Sequence, residues 1–252
     1  MDRMIHTAFN SLKNIYDQRF RTSNNLANVN VPGFRRDLPD ESGSRNLSFE
    51  GQLSARQFAL ESGISSFSKA QGTISESGVD TDVSVVGDGY MLVKPIDGEI
   101  ALSRRGDLSL SAEGILQDGA SNAILSRELE QITVPAYREI QFSETGEVLV
   151  DALSTPSGKF VSLGYIGTAN PDSKTLFKDL DGQIRVMDRL VPALDQKVKL
   201  VQGMLEAANV NSVEELVSSM ELQRQFEISI KFISLSQELD EGGSQLMRMP
   251  QG

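Results

Sequence analysis

The first part of the chain carries apolar residues at the spacing of a helix. Through residues 4–27 they recur every three or four positions, the period at which side chains share one helix face. Arg19 stands where this stripe would continue, which predicts either a polar contact or a break there. Pro32-Gly33 is then expected to stop the helix. A surface helix that covers only its own core would show the same stripe.

The next segment, residues 37–79, is mostly polar with scattered apolar residues. It is too polar to form a dense core and too apolar to be a free linker. We therefore expect an extended connector that lies on other surfaces of the protein.

Short β-branched runs separated by glycine turns begin at Asp80. Val83–Val86 and Tyr90–Val93 flank Gly87–Gly89, and an Asp-Gly pair between such runs predicts a β-hairpin. Turns return about every eight to twelve residues until about residue 190, which is typical of a compact all-β unit. Further strands are predicted at 100–102, 108–110, 132–134, 147–150, 160–163 and 184–186.

A second helix is predicted near the C-terminus. Ser212, with Glu215 three residues later, forms a capping box that marks its start. An apolar stripe follows from Val213 to Ile233, and the helix is expected to end near Gly242-Gly243.

The fold class predicted from these segments is α+β: N- and C-terminal helices forming a coiled-coil-like helical domain, with a central all-β domain. Residues 1–36 contain six basic and two acidic residues, whereas residues 205–241 contain two basic and eight acidic residues. Opposite charge of this kind helps two helices find a register. Two solvated helix faces with unrelated charge are the alternative. The predicted segments are 1–36, the N-terminal helix; 37–79, the connector; 80–204, the β-rich domain; and 205–252, the C-terminal helix.

The composition argues against several functions. The 252 residues carry a formal net charge of −11, which disfavours nucleic acid as the main partner. There is no cysteine, and His6 is the single histidine, so neither a zinc site nor a Ser-His-Asp triad is expected. Gly87–Gly89 lacks the rest of a dinucleotide fingerprint, and Asp179–Gly182 lacks the later acidic ligand of a calcium loop, so both are interpreted as turns.

No catalytic residue, metal site or cofactor is therefore predicted. An acidic chain leaves room for a pair of carboxylates suited to glycoside hydrolysis, but no pattern points to one. The chain has no run of about 18 apolar residues, so no membrane span is predicted. Its N-terminus lacks the apolar region of a cleaved secretory signal.

Four asparagine side chains surround the end of the first apolar stripe, at positions 24, 25, 28 and 30. A buried amide without a partner costs about 1–3 kcal/mol, so this density suggests a specified contact. A helix cap followed by a turn would use the same residue types.

The segment Asn24–Asn28 followed by Pro32–Phe34 resembles the signature of the bacterial flagellar rod and hook proteins. Leu205–Asn211 is similar to the second signature of that family, with Ala208 where serine is more usual, and Arg224–Glu227 continues the match. The resemblance implies that these residues act at subunit contacts. The candidate assembly residues are Asn24, Asn25, Leu26, Ala27, Asn28, Pro32, Gly33, Phe34, Asn209, Asn211, Arg224 and Phe226.

The middle of the chain resembles the same family less strongly. Val83–Tyr90 is similar to its strand-Gly-Asp-Gly-aromatic motif. Ser103–Asp107 is similar to its Thr-Arg-Asn-Gly-aromatic motif, with Ser, Arg and Asp replacing Thr, Asn and the aromatic residue.

The resemblance implies a structural subunit of the proximal rod in the flagellar basal body, which transmits torque from motor to hook. It also implies terminal helices near the channel axis with the β domain outside them. The implied partners are neighbouring proximal rod subunits, the distal rod protein and the flagellar export apparatus, with no nucleic acid. The implied location is the periplasmic rod, reached without a cleaved signal peptide. The alternatives are a distal rod or hook-type protein, a secreted β-rich enzyme and a coiled-coil adaptor.

Overall fold

The computed structural model describes residues 2–38, 45–48, 55–58, 66–96, 98–172, 175–179 and 181–247. The chain divides into two units, which are described separately. The helical unit comprises residues 1–27, 37–63 and 211–252, and the β unit comprises residues 28–36 and 64–210. The four-segment division drawn from the sequence stays a prediction.

The helical unit contains helices α1 (Asp2–Ala27) and α2 (Ser212–Met247). Both predicted helices are confirmed, although α2 continues past Gly242-Gly243, where we expected it to end. Arg19 does not break α1, because its guanidinium carbon lies 5.3 Å from the ring centroid of Phe226 on α2. The charged residue in the apolar stripe therefore makes a cation–π contact.

The prediction that the terminal helices form a coiled-coil-like domain is wrong. In the described residues there are two helices, and apolar side chains expected in a coiled-coil seam are open to solvent. Leu216, Val217 and Met220 on α2 are 50%, 61% and 74% exposed. The physical reason is that apolar residues are spread around α2, whereas a seam needs them every 3.5 residues on average. What remains is an α+β chain with a central β region.

The helical unit also contains an antiparallel pair, β1 (Arg45–Ser48) and β2 (Ala55–Phe58). Both strands fall within the segment predicted as an extended connector. Residues 39–44, 49–54 and 59–65 of that segment lie outside the described residues.

The β unit is built from antiparallel strands. An eight-stranded sheet has the order β14-β15-β6-β5-β9-β8-β7, with β13 paired to β5, and a three-stranded sheet has the order β10-β11-β12. Two further pairs are β16-β4 and β17-β3. The strands are β3 (Ile74–Glu76), β4 (Val83–Val86), β5 (Tyr90–Lys94), β6 (Ala101–Ser103), β7 (Ser109–Leu110), β8 (Leu116–Gln117), β9 (Ala123–Ile124), β10 (Tyr137–Phe142), β11 (Glu147–Ala152), β12 (Val161–Tyr165), β13 (Thr168–Ala169), β14 (Leu176–Lys178), β15 (Ile184–Val186), β16 (Lys199–Gln202) and β17 (Met204–Glu206).

Strand β5 separates two hydrophobic clusters. Met91 and Val93 belong to one cluster, and Tyr90 and Leu92 belong to the other. This division follows from the pleat of a strand, since successive side chains point to opposite faces. All four side chains are buried, so β5 is covered on both sides.

The prediction of a hairpin at Gly87–Gly89 is wrong, although both flanking strands are found. Strand β4 pairs with β16, whereas β5 pairs with β6, β9 and β13. Gly87 does adopt the left-handed conformation of a turn, with φ of +77°. The local sequence therefore predicts the turn, but the partner of β4 lies much later in the chain.

Two other sequence expectations can be compared with the structure. The predicted strand at 132–134 is an isolated bridge between Ile115 and Thr133 instead. The Asp179–Gly182 turn is confirmed by a hydrogen bond from Gly182 N to Asp179 O, of 2.9 Å. No helix in the described part of the chain is long and apolar enough to cross a membrane.

Candidate functional site: a buried cluster where the sequence motifs meet

The loop that follows α1, residues 28–36, contacts strand β17 at a glycine. Val31 N donates to Asn28 O over 3.0 Å, and Gly33 then adopts a φ of +68°. Gly33 N donates to Glu206 O of β17 over 2.7 Å. A Cβ at Gly33 would overlap the backbone carbonyl of Arg104. Glycine is therefore required here both by the left-handed backbone and by the close approach.

Three charged side chains form what we call the ionic cluster: Arg35, Arg104 and Glu206. Arg35 Nη1 lies 3.0 Å from Glu206 Oε1, and Arg104 Nε lies 2.7 Å from Glu206 Oε2. The three side chains are only 1–2% exposed. Gly72 N also donates to Glu206 Oε1 over 2.8 Å, and Arg35 donates to Ala70 O. Both carboxylate oxygens thus have partners, as a buried charge requires.

Arg104 connects this cluster to the Gly87–Gly89 turn. Its Nη2 donates to Val85 O over 2.8 Å, while its Nη1 donates to Gly87 O over 2.7 Å and to Gly89 O over 2.8 Å. A planar guanidinium can serve several acceptors at once, which a lysine cannot do with the same geometry. Arg104 thereby bonds to β4 and to both ends of the turn that leads to β5.

The electrostatics of the cluster follow from its burial. Desolvation lowers the pKa of the Arg35 guanidinium, and the nearby Glu206 carboxylate opposes that effect. Burial also raises the pKa of the Tyr90 phenol, whose ring centroid lies 5.8 Å from Arg104 Cζ. Arginine keeps its proton in proteins, and the pKa of Tyr90 moves away from neutrality. These two groups therefore offer no general acid or base near pH 7.

A third cation, Lys178, supports the same loop. Lys178 at the end of β14 is buried, and its Nζ lies 4.0 Å from the ring centroid of Phe34. The same ammonium donates to Arg35 O over 3.2 Å. The Pro-Gly-Phe loop is thus held by a cation–π contact and by backbone hydrogen bonds.

Asn209 binds the incoming and outgoing segments of the chain together. Arg36 N donates to Asn209 Oδ1 over 2.6 Å, and Asn209 N donates to Phe34 O over 3.2 Å. Asn209 Nδ2 donates to Ser68 O over 3.2 Å and to Ala70 O over 2.7 Å. The amide therefore uses both its acceptor and its donors inside the β unit.

The two asparagines at the end of α1 are bound within the helical unit. Asn25 is buried, donates to Asp37 O over 3.0 Å and accepts from Asp37 N over 2.8 Å. Asn25 Nδ2 also lies 3.4 Å from Glu215 Oε1 on α2, and Asn24 Nδ2 donates to Asp37 Oδ2 over 2.6 Å. These asparagines therefore bind particular residues elsewhere in the helical unit, Asp37 and Glu215, and do not only cap the end of α1.

The N-cap of α2 is Asn211, so the predicted capping box at Ser212 is wrong by one residue. Asn211 Oδ1 accepts from Val213 N over 3.1 Å, and Asn211 O accepts from Glu215 N over 3.0 Å. Asn211 Nδ2 also reaches Glu214 Oε1 over 3.2 Å. Asparagine at position 211 matches the preference of N-caps at least as well as serine. Glu215 is buried, and its Oε1 lies 3.4 Å from Asn25 Nδ2.

The candidate assembly residues fall into separate groups. Gly33, Phe34 and Asn209 come together in the β unit, and Asn24 and Asn25 come together in the helical unit. Their role at subunit contacts stays a prediction. Of the others, Leu26, Asn28, Pro32 and Phe226 are half-buried, and Ala27, Asn211 and Arg224 are exposed.

Sequence reasoning missed the ionic cluster. In the sequence, Arg35 was counted only among the basic residues of the N-terminal segment. Arg104 was noted only as part of the Ser103–Asp107 motif, and Glu206 only as an acidic residue of the second signature. Each lies within or directly beside a motif, which is the signal that could have drawn attention to them. Among the described residues there is no group of side chains suited to hold a metal ion.

Two models of known protein families match segments of the chain that contribute residues to this site. Residues 84–150 match a family model described as flagellar hook protein FlgE/F/G D1 domain. Residues 201–246 match one described as flagellar basal body rod FlgEFG protein C-terminal. In these two segments the chain is similar to the flagellar basal-body rod and hook proteins. The first match contains Arg104, and the second contains Glu206, Asn209 and α2 up to residue 246.

Relatives of this family align with nearly the whole chain. The chain is 25% identical to flagellar basal-body rod protein FlgF of Salmonella typhimurium, over 99% of its own length and 100% of that protein. It is 28% identical to FlgF of Caulobacter vibrioides over 95% of each chain. It is also 28% identical to FlgG of Buchnera aphidicola, over 89% of this chain and 92% of that protein. The fuller coverage by FlgF proteins makes the chain FlgF-like.

Proposed function

We propose that this protein is a structural subunit of the proximal rod of the bacterial flagellum and transmits torque from the motor toward the hook. The observation that carries the proposal is the end-to-end likeness to FlgF proteins, combined with the use of the family motifs. Those motifs build a buried structural cluster in which Glu206 forms ion pairs with two arginines. A secreted enzyme would need its distinctive polar residues in an accessible pocket.

The exposed apolar side chains support assembly with neighbours. Phe9, Tyr16 and Phe20 on α1 are all exposed, and their spacing of seven and four places them on one helix face. Large exposed apolar patches mark interaction sites. The proposed partners are other rod subunits, including the distal rod protein, and the export apparatus that delivers the chain to the periplasmic rod without a cleaved signal peptide.

Gene deletion followed by complementation tests this function. The deletion strain should be non-motile and should lack complete rods in electron micrographs of isolated basal bodies. A tagged copy that restores motility should copurify with those basal bodies, and it should still contain residues 1–36. Motile deletion cells with complete rods would refute the rod assignment. Recovery of the tagged protein only outside basal bodies would favour the secreted enzyme.

A further inference from the structure

The chain connects the β unit to the helical unit at four points, after residues 27, 36, 63 and 210. Three short segments of the β unit adjoin these points: 33–36, 68–72 and 206–209. Any force that passes along the backbone between the two units enters or leaves the β unit through these segments.

The first and last of these segments are bonded to each other. Asn209 N donates to Phe34 O over 3.2 Å, and Arg36 N donates to Asn209 Oδ1 over 2.6 Å. Gly33 N donates to Glu206 O over 2.7 Å, and the Arg35–Glu206 ion pair adds a fourth link. Residues 173 apart in the sequence are therefore held side by side.

The middle segment is bonded to both of the others. Ser68 N donates to Arg36 O over 2.7 Å, and Arg35 donates to Ala70 O. Asn209 Nδ2 donates to Ala70 O over 2.7 Å. Gly72 N donates to Glu206 Oε1 over 2.8 Å. Each of the three segments is thus linked directly to the other two.

We infer that Arg35, Glu206 and Asn209 form a force-transmitting junction, which shares load among the three segments and passes it into the sheets. This inference rests on the proposed rod function. The path into the sheets is Arg104, which joins Glu206 to the carbonyl of Val85 in β4. Separating any one segment from the junction breaks its bonds to both of the other segments at once. A pull on one segment is therefore resisted by the bonds of all three.

A residue needed only for folding would behave differently from a residue that carries load. The test therefore compares variants of equal thermal stability. Asn209→Ala removes the hydrogen bonds that the Asn209 side chain makes to Arg36, Ser68 and Ala70. Arg35→Lys keeps the charge but loses the planar fork. The matched control is whichever of Ile140→Val and Val148→Ala, both in the buried core of the β unit, gives the same melting temperature as the junction variant.

Tethered-cell rotation is measured at low and high medium viscosity in strains that carry each variant. At low viscosity, junction variants and the matched control should both rotate like wild type. At high viscosity, the rotating fraction of junction-variant cells should fall at least several-fold, with rods or hooks released into the medium, while the control keeps rotating. Equal behaviour of junction variant and control at high viscosity would overturn the inference. A deletion strain that still rotates would instead refute the proposed rod function.

A second measurement excludes loss of a subunit contact as the cause. The purified full-length chain is pulled from its two termini in an optical trap. The force at which the β unit opens should be lower for Asn209→Ala than for its stability-matched control, and equal forces would overturn the inference. If Asn209→Ala fails to accumulate, Arg35→Lys is scored in both assays against its own matched control.

Discussion

Replacing Glu206 by glutamine should destabilise the β unit strongly. Glu206 pairs with both Arg35 and Arg104, and all three side chains are almost completely buried. Glutamine has nearly the same shape, but it carries no charge and its amide nitrogen cannot accept a hydrogen bond. Two guanidinium groups would then be buried with only neutral acceptors around them.

The magnitude follows from what happens when one partner of a buried ion pair is removed. Such changes cost about 3–5 kcal/mol. Glutamine keeps one acceptor oxygen for either Gly72 N or a guanidinium, so we expect about 3 kcal/mol, the lower end of that range. For a domain of this size, each kcal/mol lowers the melting temperature by about 2–4 °C, which gives a decrease of about 6–12 °C.

Thermal unfolding followed by the β-sheet circular dichroism signal measures this effect, with urea unfolding as a second estimate. Glu113→Gln is the matched control, because this substitution makes the same chemical change at an exposed turn of the same unit. The control should melt within about 1 °C of wild type. If Glu206→Gln also melts there, the ionic cluster contributes no net stability and our account of it is wrong.

Three other changes test further details. Gly33→Ala should lower the melting temperature more than Gly158→Ala, because both glycines have positive φ but only Gly33 also lacks space for a Cβ; equal effects would show that the loop relaxes freely. Asn211→Ala should cost about 1 kcal/mol and reduce the helical signal of α2, whereas Ser212→Ala should change little, and the reverse order would restore the sequence-based capping box. A hydrogen bond from an arginine lowers the pKa of Asp181, so its charge stabilises the fold above the usual aspartate pKa of about 4 and stops doing so as the pH falls through the lowered value. The stability difference between wild type and Asp181→Asn should therefore disappear in acid, and a difference that persists there would contradict the ion pair as its cause.

Local patterns in the sequence predicted the elements of this fold better than their partners. The apolar period identified α1, and β-branched runs identified β4 and β5, since these signals depend on neighbours a few residues away. Strand β4 pairs with β16, which lies more than 100 residues later in the chain. No turn signal in the sequence indicates which distant strand will be the partner of β4. The coiled-coil prediction was wrong for a related reason. A helical spacing of apolar residues shows that one face of a helix is apolar, but it does not show what covers that face.

The candidate site was predictable only in part. The motif residues Gly33 and Asn209 were singled out for contacts with other subunits, and that role stays a prediction. The bonds that they make within this chain were not predicted. Arg104 and Glu206 could not be paired from the sequence, since they lie 102 positions apart among many other charged residues. Burial separates these two from exposed arginines and glutamates, and burial is a property of the folded chain.

The long separation between Asn209 and its partner Arg36 has a kinetic consequence. Contacts between distant parts of a chain form slowly, because the loop between them must close before they contribute stability. The β unit comprises residues 28–36 and 64–210, so it cannot be completed before residue 210 has been synthesised. Strands such as β10 and β11 can pair earlier, because a short turn joins them. We therefore expect closure of the unit around Glu206 and Asn209 to be a late step of folding.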